Sequence, residues 1–225
     1  MGRLTVAAAA CLAVASLIVA PSWVLASPNK AQPGTSCARG YSYGGYASRE
    51  GVHGVAATVA ALSVPRVSSG HAAAWVGVGG LHQAQGGRNA WLQTGIAAFS
   101  HTGLRLYVEE VSLGQARRFT DLGPARPRHR YRFEVRETRP DVWVASLDGL
   151  AVGTPAYLPT GGGSWRGVVT SETWAGGREA CNRFAYRFED VDVLAGPSWR
   201  ALEDARLVGS PVTRVASGFA AAKPS

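Results

Sequence analysis

An antiparallel β-sandwich is the fold this sequence predicts, on three observations. Short runs rich in Val, Ala, Tyr, Phe and Trp recur along the chain, separated by Gly, Pro, Asn and Asp, which is the spacing of strands joined by tight turns. No segment beyond the N-terminal apolar stretch carries a helical period. The clearest run, His129 to Arg136, alternates strictly: Tyr131, Phe133 and Val135 share one face and charged residues share the other. A strand with one side in a core and one in water gives that pattern.

Taken in order, Met1–Ala26 holds one basic residue, Arg3, an apolar run from Leu4 to Ala20, a helix breaker at Pro21 and then Val24-Leu25-Ala26. That succession reads as an export signal cleaved after Ala26. An uncleaved anchor is the alternative, because the run approaches the roughly 20 residues that span a bilayer. Residues 27–51 form an extended arm rich in Pro, Gly, Ser and Tyr. Residues 52–196 are the sandwich domain, with strand-like runs at Val52–Val64, Ala72–Val78, Asn89–Phe99, Leu104–Leu113, His129–Thr138, Val142–Leu147, Trp165–Thr173 and Arg183–Leu194. Arg139-Pro140-Asp141 is a turn that makes a hairpin of two of these runs. Gly161-Gly162-Gly163 is a loop or bulge. Residues 197–225 are a C-terminal extension with weak strand signals at Ala205–Val208 and Val212–Val215, and an Ala/Lys/Pro end expected to be disordered.

Removal of the signal leaves about 200 residues, a usual size for one sandwich, with no second stretch apolar enough to cross a bilayer. The expectation is a secreted, soluble monomer. In that oxidising setting Cys37 and Cys181 read as one disulfide, with two separate buried thiols as the alternative. His53, His71, His82, His101 and His129 stand singly, without the close spacing of a metal site. Neither metal nor cofactor is expected, and most of these histidines are expected at the surface.

The chain carries a formal net charge of +8, almost all of its cations being arginine. Arg117, Arg118, Arg126, Arg128, His129, Arg130 and Arg132 crowd one region, a patch able to attract an anionic polymer or to serve as an ordinary solvated face. Nucleic acid is not expected, since no binding motif accompanies the patch.

The common hydrolase and nucleotide-binding signatures are missing: there is no Gly-x-Ser-x-Gly elbow, no HExxH helix and no phosphate loop. A different pattern is present. Ala74-Trp75-Val76-Gly77-Val78-Gly79 is followed a strand later by Trp91-Leu92-Gln93-Thr94-Gly95-Ile96, then by Leu106-Tyr107-Val108-Glu109-Glu110 and, far downstream, by Gly167-Val168-Val169-Thr170-Ser171-Glu172. In this order the segments resemble the strands of the eqolisins, the glutamic endopeptidases. The resemblance implies a sandwich of two antiparallel sheets with the site on a concave face, Gln93 and Glu172 as the catalytic pair, and Glu109 as a supporting carboxylate.

The chemistry suits those side chains. A carboxylate can take a proton from water and return it to a leaving amine, and an amide can orient that water and donate to a developing oxyanion. Alternation puts Trp91, Gln93 and Gly95 on one face, and Thr170, Glu172 and Trp174 on one face. Trp75, Tyr107 and Trp174 are candidate walls of a substrate groove, with Gly77 and Gly95 leaving room for a peptide backbone. The reading is therefore a secreted peptidase acting on a peptide or protein. A noncatalytic sandwich that binds carbohydrate or another cell-surface polymer is the alternative.

Overall fold

Period-two alternation governs the observed architecture. The computed structural model describes residues 37, 39–160, 164–177, 181–209 and 212–223, all within one compact unit; the export signal and Gly161–Gly163 lie outside them. The strands are β1 (Tyr41–Ser48), β2 (Gly54–Ala61), β3 (His71–Ala84), β4 (Arg88–Phe99), β5 (Leu104–Val111), β6 (Arg118–Pro124), β7 (Tyr131–Arg139), β8 (Val142–Leu147), β9 (Leu150–Tyr157), β10 (Gly167–Trp174), β11 (Phe184–Ala195), β12 (Ser198–Ala201), β13 (Ala205–Leu207), β14 (Val212–Val215) and β15 (Gly218–Lys223). They form two antiparallel sheets. The first runs β13-β1-β10-β3-β4-β5-β6 and the second β14-β15-β11-β2-β7-β8-β9, with β12 beside β11.

The core lies between the sheets. In β4, Ala90, Leu92, Thr94, Ile96 and Ala98 are buried toward it, and in β7 the inward positions are Tyr131, Phe133 and Val135, as the alternation requires. Val76, Leu92, Ile96 and Val169 from the first sheet meet Val55, Val59, Phe133, Tyr186 and Phe188 from the second, with Trp143 among them. Full burial of one such side chain stabilises the fold by roughly 1.5–3 kcal/mol. The disulfide joins Cys37, which leads into β1 of the first sheet, to Cys181, which leads into β11 of the second, across 144 residues.

Both ends of the chain are more ordered than composition suggests. The arm supplies β1, hydrogen-bonded between β10 and β13. Its Gly44-Gly45 pair interrupts any apolar alternation, which hides the strand. The tail supplies β12 to β15, and the stretch that includes Ala220-Ala221-Ala222-Lys223 is a paired strand rather than a disordered end. Phe219 explains this: it is buried and stacks on Phe188 at 4.5 Å.

The arginine-rich region likewise does not form one free cationic surface. Arg117 pairs with Glu109, Arg118 with Glu110, Arg130 with Glu189 and Asp190, and Arg132 with Asp192, so the cluster is divided between the β6 edge of the first sheet and the interior strand β7 of the second. Among the described residues no helix is long and apolar enough to cross a membrane.

Candidate active site

The outer face of the first sheet, turned away from the core, gathers every site residue singled out from the sequence. Register arranges them in four adjacent rows. Tyr41, Trp174, His71 and Phe99 stand abreast. Tyr43, Glu172, Ala73 and Ala97 form the next row, and Gly45, Thr170, Trp75, Gly95 and Tyr107 the third. Val168, Gly77, Gln93, Glu109 and Phe119 complete the set. Glu172 and Gln93 flank β3 from opposite sides, facing Ala73 and Gly77 respectively, and both border one small, partly open cavity of about 20 Å³. His71, Phe99, Tyr107, Glu109, Arg117 and Phe119 line the same cavity.

Gly77 and Gly95 have a different role from the one expected. A Cβ at Gly95 would stand 2.1 Å from the Ala74 carbonyl, and one at Gly77 would stand 2.8 Å from the Gln93 Cβ. The space they leave is filled by the neighbouring strand, not by a ligand, and any side chain there would push the strands apart.

Two carboxylates on this face are held in parallel fashion. Glu172 accepts the Trp75 indole N–H on Oε2 at 3.0 Å, and its Oε1 lies 2.8 Å from His71 Nε2. Glu109 accepts the Trp91 indole N–H on Oε1 at 3.1 Å and the Arg117 guanidinium on Oε2 at 2.7 Å. Both glutamates are buried, with side chains 10% and 8% exposed. Buried carboxylates persist only when paired and hydrogen-bonded, and these two have the partners. Each has used two of roughly four acceptor positions, so each keeps capacity toward the cavity.

Between them sit Gln93 and Tyr107. Gln93 Nε2 donates to the Tyr107 hydroxyl at 3.2 Å, which engages one of its two N–H groups. Desolvation, and then the charges of Glu172 and Glu109, push the Tyr107 phenol well above its ordinary pKa, so it stays protonated. Tyr43 is raised for the same first reason, with Glu172 next. At Arg117 burial opposes the charge, but the hydrogen bond and charge of Glu109 prevail and its pKa rises.

Trp174 stands beside the cavity without lining it: its ring stacks on Tyr41 at 5.9 Å and tilts against His71 at 5.8 Å. Trp75 likewise reaches Glu172 without entering the cavity wall.

Sequence reading missed His71, Arg117, Phe99, Phe119 and Asn182. His71, unlike the other four histidines, is withdrawn from solvent. Asn182, next to the disulfide and fully buried, accepts from the Ser68 and Ser69 backbone N–H groups and donates to the Ser69 carbonyl and the Thr173 hydroxyl. It thereby fixes the start of β3 against the end of β10, where His71 and Trp174 face each other. Among the described residues no group of three metal-ligating side chains occurs.

Solved structures share this two-sheet fold. Scytalido-glutamic peptidase with a peptide-based transition-state analogue matches with a TM-score of 0.55 and 20% identity, over 80% of this chain and 96% of that one. The same peptidase with a transition-state analogue inhibitor gives 0.57 and 18%, over 80% and 97%. SCP-B, a member of the eqolisin family of peptidases in complex with the tripeptide Ala-Ile-His, gives 0.54 and 18%, over 80% and 96%. No family model and no curated protein matches the sequence.

Proposed function

We propose that the protein is a secreted endopeptidase of the glutamic type that hydrolyses extended peptides with a water activated by Glu172 and Gln93. The observation that carries this reading is the shared cavity: a buried carboxylate and an amide border it from the two sides of β3, in a fold otherwise seen in glutamic peptidases. In the proposed reaction Glu172 takes a proton from the water as its oxygen adds to the scissile carbonyl carbon. The second N–H of Gln93 donates to the oxygen that becomes negative, and Glu172 returns the proton to the amine nitrogen as the carbonyl re-forms and the C–N bond breaks. Glu109, tied to the Arg117 cation, supports Gln93 from the adjoining strand. No cofactor takes part.

A second reading, binding without hydrolysis, is favoured by one feature of the same face. Tyr41 and Tyr43, stacked on each other and partly exposed, continue into Trp174. Such an aromatic surface suits carbohydrate or another polymer as well as peptide. An anionic polymer at the residual cations Arg126 and Arg128 belongs with this reading.

Digestion separates the two. Protein recovered from the medium of an expressing host is incubated with a denatured protein substrate from pH 2 to 7, beside folded Glu172→Gln and Gln93→Ala variants. The peptidase reading expects cleavage by the wild type and loss in both variants. A folded wild type that cleaves at no pH overturns it in favour of binding.

A further inference from the structure

Of the two glutamates held by an indole N–H and a second donor, one has an arginine and the other a histidine, and this difference has chemical content. Arg117 cannot give up its proton, so Glu109 faces a permanent cation. His71 carries no such permanent charge and offers Glu172 one N–H directed at Oε1. The geometry points to His71 as the positioning residue of the proposed reaction: with Trp75 it clamps the Glu172 carboxylate while leaving that carboxylate free to gain and return a proton.

Three structural features support the assignment. The pair is built across strands: His71 and Trp174 are direct partners in register, Glu172 is the next same-face position along β10, and 101 residues of sequence separate the pair. The imidazole is fixed by packing, with Phe99 at 5.9 Å, Trp174 at 5.8 Å and Tyr41 at 6.3 Å around it. Asn182 donates to the His71 carbonyl at 3.3 Å and secures the backbone beneath. Since Glu172 Oε2 is taken by Trp75 and Oε1 by His71, the carboxylate plane has one orientation, and its remaining lone pairs serve the water. In a neutral imidazole this contact places the proton on Nε2, with Nδ1 bare.

The inference rests on the peptidase reading, and the test keeps the two apart. His71→Phe keeps a ring in the aromatic nest but removes the N–H, whereas His71→Gln restores an N–H at a similar reach. The expected result is a fall in kcat of about 10- to 100-fold in the Phe variant, the equivalent of one lost hydrogen bond to a charged group. KM should change by less than about threefold, and the Gln variant should recover most of kcat. In parallel, proton NMR of the wild type in water is expected to show a downfield imidazole N–H resonance that vanishes in both His71→Phe and Glu172→Ala. Unchanged kcat in an active, folded Phe variant, or an N–H signal that persists in Glu172→Ala, overturns the positioning role. An inactive wild type that still shows the resonance overturns the peptidase reading and the positioning role together, and leaves the contact as a structural one.

Discussion

The outer faces of the two sheets are made from the same residue types and differ in what surrounds them. On the second sheet, Arg130 meets Glu189 and Asp190, Arg132 meets Asp192 and Arg136 meets Glu134, with carboxylates 15% to 54% exposed. On the first, Glu172 and Glu109 are almost sealed beneath aromatic rings and each takes an indole N–H as well as a cation or histidine. Exposed pairs trade protein contacts for water at little net gain, typically about 0–1 kcal/mol. Buried carboxylates lose hydration and must be satisfied in full, and such groups are where reactivity concentrates. A charge census cannot tell the faces apart; the presence of tryptophan N–H donors and burial does.

The largest contrast is expected in activity. Glu172→Gln should lower kcat/KM by about 10³-fold, the range for a removed general base, while Glu189→Gln on the other sheet should leave the rate on the same peptide unchanged. Equal losses would erase the distinction between the faces.

Removing the disulfide with Cys37→Ser and Cys181→Ser comes next. Closing so long a loop is worth typically about 2–4 kcal/mol, read as a lower midpoint in denaturant. Because Cys181 adjoins Asn182, the loss of activity at sub-denaturing concentrations should precede global unfolding. Arg117→Ala follows: it leaves Glu109 buried with one donor and should cost about 2 kcal/mol, as expected for a hydrogen bond to a charged group. Arg132→Ala, on the second sheet, should cost at most about 1 kcal/mol. Thermal unfolding of both variants at one pH measures the difference, and equal losses would mean that burial does not set the cost.

How much of this was legible beforehand follows from the range of each signal. Strict alternation in His129–Arg136 and the Trp91-Leu92-Gln93 pattern depend only on neighbours in sequence, so β4, β7, β8 and β10 were readable, as was the single face shared by Trp91 and Gln93. β1 was not, because Gly44 and Gly45 carry no side chain to alternate, and β15 was not, because one phenylalanine among alanines is a weak pattern. His71 illustrates the harder case. Nothing near it in sequence marks it as special, and its partner is brought alongside only by the pairing of β3 with β10. In the arginine cluster, proximity in sequence suggests one patch, whereas sheet topology assigns Arg118 to the first sheet and Arg132 to the second.

The smallest effect belongs to an exposed pair on the first sheet itself. The hydrogen bond from Arg105, and then that from the Gly123 N–H, hold the Asp121 carboxyl below its ordinary pKa. Its contribution is therefore present above the unfolded carboxylate value of about 4 and is lost as pH falls through the lower folded value. Asp121→Asn should reduce stability by no more than about 0.5 kcal/mol at pH 7, since the side chain is 45% exposed. The difference from wild type should vanish near the acid limit of folding, and a difference that grows as pH falls would reverse the sign of the argument.

A cavity between Glu172 and Gln93 that hydrolyses peptides must favour a transition state and not merely a ligand, and affinity for a peptide-based transition-state analogue measures that preference. Calorimetry of the wild type should show the analogue bound at least about 10²-fold more tightly than the matching unmodified peptide, with the advantage lost in Glu172→Gln and Gln93→Ala. An analogue bound no more tightly than the plain peptide, or one that keeps its advantage in both variants, would contradict hydrolysis at this site and leave the face as a binding surface.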